Sequence, residues 1–486
     1  MVCRAALAVL PLRVGAHGRL WQPAAPLQTG PARAGRLVTS QCRLRSSRPA
    51  GRRCGDAKIA AMSRFSCWFR PFGPSGWLAC LCALLLWAAP AGAQAPASAA
   101  PARPGTLVVL GGALKDGNDA LWQAIVQAAG GPGALVLVLP TASGDPERSA
   151  RLTAEQLQRR GARTEVLPIA PRWPGSSAED ARARAHDPQW VARVQAAGGV
   201  FMTGGEQDRL MQALRPEGRE TPLLRALREL HARGGVIAGT SAGAAVMSET
   251  ALRELDDAFD ALLRPLTAQE LGLGFGLAPH DVVTDQHFLK RGRVARLVRV
   301  LLQSGRPLGL GVEEDSAALI RAGVAEALGT RGLLVVDTSQ AVVEQAAPLR
   351  VRALRVSYVD RGDRYDLHAR RLLPPATRQP LTLGSAEGRA GFFGDVLGDN
   401  IVVGVMARAA EGPGRAALGL AWRLHQPTAF EWRFSADEHT RAWGGPTRDD
   451  HSIEALRLDI RPVRLAQPVY EGAPTPATPR AGPSPR

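Results

Sequence analysis

The chain has 486 residues, of which 45% are hydrophobic, and a formal net charge of +16. That length and apolar content suit one large domain or two ordinary ones and exclude a globally disordered chain. The charge does not mark a nucleic-acid surface: residues 1–61 hold ten Arg and one Lys against one Asp, residues 62–93 add Arg64 and Arg70, and only +4 remains downstream.

In chain order, residues 1–61 are rich in Arg, Pro and Ala without periodicity, and read as an extension upstream of a true start at Met62. Residues 62–93 read as a secretory signal peptide: Arg64 and Arg70, an apolar stretch from Trp77 to Ala89, then Ala91-Gly92-Ala93 with cleavage after Ala93. The apolar run is shorter than the roughly 20 residues of a spanning helix, so no stable membrane anchor is expected. The mature chain is expected in the periplasm or outside the cell. All six cysteines (Cys3, Cys42, Cys54, Cys67, Cys80, Cys82) precede residue 94, so the folded part has neither disulfides nor a thiol nucleophile. Residues 94–104 read as a flexible linker and 466–486 as a disordered Pro/Ala-rich tail.

From residue 105 short apolar runs alternate with helical patterns. The runs are Thr106 to Leu110, Ala134 to Leu139, Val166 to Ile169, Gly199 to Thr203 and Val236 to Ala238; helices are predicted over 116–130, 147–160, 187–197, 206–214 and 221–233. This alternation predicts a parallel sheet covered on both faces, with the active site at the carboxyl ends of its strands. Gly111-Gly112, Gly204-Gly205 and Gly239 fall at those ends. Beyond about 306 the segments 308–320, 331–337, 350–359 and 364–371 read as short strands. Residues 380–465 add Asn400 to Gly404 and Ala416 to Trp422 as further β-like pieces.

Gly239-Thr240-Ser241-Ala242-Gly243 follows an apolar run and precedes an Ala-rich helix start. Such a turn lifts a serine hydroxyl above the sheet, and only very small neighbours let the chain bend so sharply. The alternative reading is a helix N-cap serine. A serine nucleophile needs a histidine base and an acid to orient it. His287, between the apolar Val282-Val283 and an arginine-studded helix, is the histidine with the most suggestive context. Glu313-Glu314-Asp315 ends another apolar run, although three acids in a row also suit a solvated turn.

Four blocks then resemble the cyanophycinases and aspartyl-dipeptidase-like serine peptidases, the cyanophycinases in particular: Phe201 to Leu210, Gly239 to Ala245, Asp285 to Leu297 and Gly309 to Glu314. Val109 to Gly112, Leu139 to Ser143 and Arg361 to Leu367 fit as well, and the resemblance runs from about 105 to 372. It implies a three-layer α/β/α sandwich with a mostly parallel sheet, like class I glutamine amidotransferases, followed by a β-rich C-terminal extension over 373–465. It implies Ser241 as nucleophile, His287 as base and Glu314 as its partner, with the N–H groups of Gly205 and Ala242 as oxyanion hole. Gln207, Asp285, Gln286, Arg291, Arg293 and Arg296 match positions that shape the family's substrate pocket; Arg299 reads as covering a helix surface. The resemblance further implies a homodimer acting on cyanophycin, a poly-aspartate whose β-carboxyls carry arginine, and releasing β-Asp-Arg dipeptides. An aspartyl or isoaspartyl dipeptidase, or a silent polymer-binding protein, remains open on the same fold. No metal spacing, phosphate loop or dinucleotide fingerprint stands out, so neither metal nor cofactor is expected.

Overall fold

The computed structural model describes residues 104–466 apart from positions 254, 256, 448 and 449. The upstream extension, the signal peptide, the linker up to residue 103 and the tail from 467 lie outside the described residues. Five strands form the parallel part of a nine-stranded sheet: β1 (Thr106–Leu110), β2 (Leu135–Leu139), β3 (Arg163–Val166), β4 (Gly199–Met202) and β5 (Val236–Thr240), in the order β1-β5-β4-β2-β3. Antiparallel strands Ser316–Arg321, Val324–Gly329, Arg364–Asp366 and Arg371–Leu373 extend it beyond β1. Alternate residues of β1 explain the layering. Leu107 and Val109 join an apolar cluster on one face, and Val108 and Leu110 join another on the opposite face. Both faces are therefore buried under helices, which is what continuous apolar runs demand.

The helices start where their sequences dictate. Asp145 and Thr221 cap the helices Pro146–Arg159 and Pro222–Ala232, each with proline at its first position. The helix Ala178–His186 was not predicted; it begins with a capping box in which Ser177 and Asp180 bond each other's backbone N–H. The third strand begins at Arg163, earlier than the predicted Val166.

The predicted strands after residue 280 do not all join this sheet. Val282–Asp285 and Leu308–Val312 pair in parallel within a second, mostly antiparallel sheet. That sheet continues through Leu333–Asp337, Arg350–Val359, His451–Arg464, Thr428–Ser435, Ala416–Ala421 and Gly391–Phe393. The C-terminal β-rich region is thus continuous with strands on the other side of residue 372, through the pairing of Arg350–Val359 with His451–Arg464. Asn400 to Gly404 is not a strand: Ile401–Glu411 is a helix. Its β-branched start reads as strand locally, but Val402, Val405, Met406, Ala409 and Ala410 repeat at helical spacing and bury one face. Among the described residues no helix is long and apolar enough to cross a membrane.

Candidate active site

The two sheets meet at Gly111-Gly112, immediately after β1, and this crossing positions the site. The N–H of His287 donates to Gly111 O (2.7 Å), and that of Asp315 donates to Gly112 O (2.8 Å). A Cβ on Gly111 would lie 1.9 Å from Glu313 O, so only glycine permits the approach of these backbones. Two segments that leave the second sheet, at 286–288 and 313–315, are thereby pinned to the carboxyl edge of the first. The three residues expected above one sheet edge in fact come from two sheets: Ser241 follows β5, while His287 and Glu314 follow Val282–Asp285 and Leu308–Val312. Thr284 strengthens the join, accepting from and donating within a buried set with Ser248 and the Ala244 carbonyl, at 2.7–3.0 Å.

Ser241 sits at φ 51°, ψ −110°, a conformation non-glycine residues rarely adopt. Gly243 makes the bend possible, since a Cβ there would lie 2.6 Å from Met202 O. The helix behind Ser241 is a single turn, Ala242–Ala245, so its dipole is small and the individual N–H groups beside Ser241 matter more. Ser241 Oγ lies 2.9 Å from His287 Nε2, and His287 Nδ1 lies 2.6 Å from Glu314 Oε1. The carboxylate fixes the tautomer with hydrogen on Nδ1, which leaves Nε2 to accept the serine proton. Among the described residues the N–H groups of Gly205 and Ala242 donate to no partner. Gly205 has φ 139°, and its neighbour Gly204 would bring a Cβ within 3.2 Å of Ser241 Cβ.

The three acids are no solvated turn. Glu314 holds His287. Glu313 is 3% exposed and accepts the N–H groups of Leu289 (2.5 Å) and Lys290 (2.8 Å), while burial pushes its carboxyl upward. Asp315 accepts from the N–H of Lys115 and from Asn118 Nδ2, both at 3.0 Å.

Burial lowers the His287 pKa below its ordinary 6.5; Glu314 opposes this, and Arg291 and Arg293 reinforce it. The imidazole is therefore neutral at neutral pH, the form that accepts a proton. Activity is expected to fall as pH drops through a midpoint under 6.5, because protonated His287 cannot serve as base. In Glu314→Gln the raising influence disappears, so the acid limb of kcat/KM moves to still lower pH. A pH–rate profile of both proteins checks this; a wild-type midpoint above 6.5 contradicts it.

A cleft of about 540 Å³ opens beside Ser241, walled by Gln207, Gln286, Arg291, Arg293 and Arg296 among others. Gln207 Nε2 donates to the carbonyls of Leu252 (3.2 Å) and Arg253, which fixes that loop. Gln286 is 4% exposed, and its Oε1 has no protein partner. Arg293 donates to Gln286 O (2.6 Å); burial and the adjacent Arg296 push its pKa down to about 9, so it stays charged at neutral pH.

Asp285 differs from the expectation of a pocket residue. It lies behind the wall, paired through both oxygens with Arg296, and both side chains are at most 7% exposed. Arg299 is also not a surface residue: it is 2% exposed and donates to Ala261 O at 2.7 Å. Removing Asp285 leaves Arg296 charged and unpaired, so Asp285→Ala is expected to cost about 3–5 kcal/mol of stability. A urea denaturation curve measures it. Sequence reasoning missed Arg253, Asp208, Leu255 and Ala258 on the cleft wall. Asp208, which bonds Arg253 Nε at 2.9 Å, adjoins the Gln207 motif and was open to detection; Arg253, Leu255 and Ala258 fall in no motif.

Comparison with known proteins shows the family. The model of peptidase family S51 matches residues 107–328. A cyanophycinase from Synechococcus elongatus is 33% identical over 286 residues, 56% of this chain and 83% of that protein. The chain belongs to peptidase family S51. It is a cyanophycinase-like peptidase of the serine type. A cyanophycinase from Trichormus variabilis is 33% identical over 270 residues, 51% of this chain and 81% of that protein. The crystal structure of a peptidase from an acI-B1 actinobacterium is similar with a TM-score of 0.38 and 21% identity, covering 51% of this chain and 94% of that one. The S51 match takes in Ser241, His287 and Glu314, and every residue of the cleft wall named above.

Proposed function

We propose that this S51 peptidase hydrolyses cyanophycin to β-Asp-Arg dipeptides through a Ser241–His287–Glu314 triad. One observation carries the reading: a serine in a strained turn, 2.9 Å from an imidazole that is itself 2.6 Å from a carboxylate, at the mouth of an arginine-rich cleft. His287 takes the Ser241 proton as Oγ attacks the amide carbon, and the oxyanion draws on the N–H groups of Gly205 and Ala242. His287 then returns the proton to the departing amine, leaving an acyl-enzyme on Ser241. Water, deprotonated by the same imidazole, attacks the acyl carbon; the bond to Ser241 Oγ breaks, His287 returns the proton to Oγ, and the acid is freed.

The cleft supports an anionic substrate. Arg296 is engaged by Asp285, and Arg293 Nη1 stands 3.9 Å from the same carboxylate, so Arg291, with Arg293 beside it, is the guanidinium group best suited to a substrate carboxylate. The cyanophycinase relatives direct the choice of polymer. Export through a signal peptide at residues 62–93 belongs to the same proposal. The test compares release of β-Asp-Arg from insoluble cyanophycin with hydrolysis of Asp-X dipeptides by the purified protein. Release from the polymer is expected; turnover of the dipeptides alone overturns the substrate.

A further inference from the structure

The S51 match stops at residue 328, yet a later part of the chain touches both loops that wall the cleft. The first loop supplies Arg253, Leu255 and Ala258. Within it Asp257 accepts from Arg423 Nε (2.7 Å) and Nη2 (2.8 Å), a two-pronged pair. The Arg423 guanidinium also stands 5.2 Å over the Phe259 ring, and Phe259 meets Phe430 edge-on at 5.6 Å. The second loop supplies Gln286, Arg291 and Arg293. There Lys290 pairs with Asp399, and the N–H of Asn400 donates to Leu289 O at 3.1 Å. Gly292 has φ 57°, and a Cβ on it would lie 2.1 Å from Leu397 O, so the two backbones are in direct contact. Leu252, Phe259, Phe288, Leu289, Leu397 and Phe430 share one apolar cluster.

We infer that residues 395–430 form a brace that holds both cleft loops in register, with Arg423 and Asp399 as positioning residues for substrate. The triad is fixed separately, by the crossing at Gly111-Gly112. Loss of the brace therefore acts on substrate binding and leaves serine reactivity alone. Both ion pairs are partly exposed (38%/38% for Arg423–Asp257, 51%/47% for Lys290–Asp399), so they add little to global stability. Their effect lies in loop geometry.

The inference rests on the proposed function only for the substrate assayed. The experiment uses the folded chain carrying Arg423→Ala, Arg423→Lys, or Arg423→Ala with Asp399→Asn. Arg461→Ala is the control: it breaks a comparable pair with Glu431 (2.9 and 3.2 Å) in the same C-terminal region. Readouts are KM and kcat on cyanophycin, the rate of phosphonylation by a fluorophosphonate, and the melting temperature. Arg423→Ala is expected to raise KM about fivefold with kcat within about twofold, and the double variant more. Phosphonylation and melting stay at wild type, the lysine variant recovers part of the loss, and Arg461→Ala is silent. Unchanged KM in the double variant overturns the brace. So does an equal rise in Arg461→Ala, or a parallel fall in phosphonylation. If wild type neither turns over cyanophycin nor takes the label, the peptidase assignment of the site fails instead. Hydrogen exchange over 253–259 and 286–293 then decides the brace: faster exchange in the double variant supports it, and unchanged exchange removes it.

Discussion

Ser241→Ala is expected to lower kcat on cyanophycin by about 10⁴–10⁶-fold, with KM and melting temperature close to wild type. The size follows from what is removed. Without Oγ no acyl-enzyme forms, and only the N–H groups and substrate positioning remain. Stability is spared because, among the described residues, the Ser241 side chain caps no helix and its hydroxyl bonds His287 alone. His287→Ala falls to a similar level, since the hydroxyl then has no base. The double variant is no worse than either single one, because the two act as a unit. Steady-state kinetics on the three proteins measure this; additive losses would mean that serine and histidine work independently.

Gly112→Ala is the second large effect, and it arises from backbone rather than chemistry. Gly112 has φ 105°, where a side chain is strained whatever the space around it. An added Cβ would also lie 2.3 Å from His287 Cε1 and 2.4 Å from Nε2. The imidazole cannot retreat freely, because its Nδ1 is tied to Glu314 and its backbone N–H to Gly111 O. A displacement near 1 Å at the base is expected to cost about 10²-fold in kcat. Gly117→Ala, where an added Cβ meets nothing within 4 Å, leaves kcat unchanged and serves as control. Equal kcat in the two variants would show that the packing of His287 against Gly112 does not matter to turnover.

The parallel half of the first sheet was readable because β1, β2, β4 and β5 are continuous apolar runs closed by glycine or proline. The glycine-flanked Ser241 was readable for the same local reason. What stayed hidden depends on contacts between distant residues. Nothing near Val282 or Leu308 says that these strands join the sheet that also holds the C-terminal strands rather than the sheet of β1. Arg299 carries no local mark of burial, since its partner is the carbonyl of Ala261, far along the chain. Asp285 was expected in the pocket from the family resemblance, but its carboxylate turns to the buried Arg296, a partner eleven residues on that no local pattern marks. The helix Ala178–His186 was open to detection through Ser177 and Asp180, a capping pair hidden in a stretch of arginine and alanine. Ile401–Glu411 was misread because β-branched residues fill its first turn, while its helical period shows only over three turns.

In the proposed reaction one hydroxyl, activated by His287, carries peptide hydrolysis. The most direct test is to treat the protein with a fluorophosphonate, map the adduct by peptide mass spectrometry, and follow cyanophycin hydrolysis in the same samples. A single phosphonyl group on Ser241 is expected, with activity falling in proportion to its occupancy and no adduct in His287→Ala on the same timescale. Full hydrolysis with Ser241 completely labelled, or inactivation with the label on another residue, would contradict it.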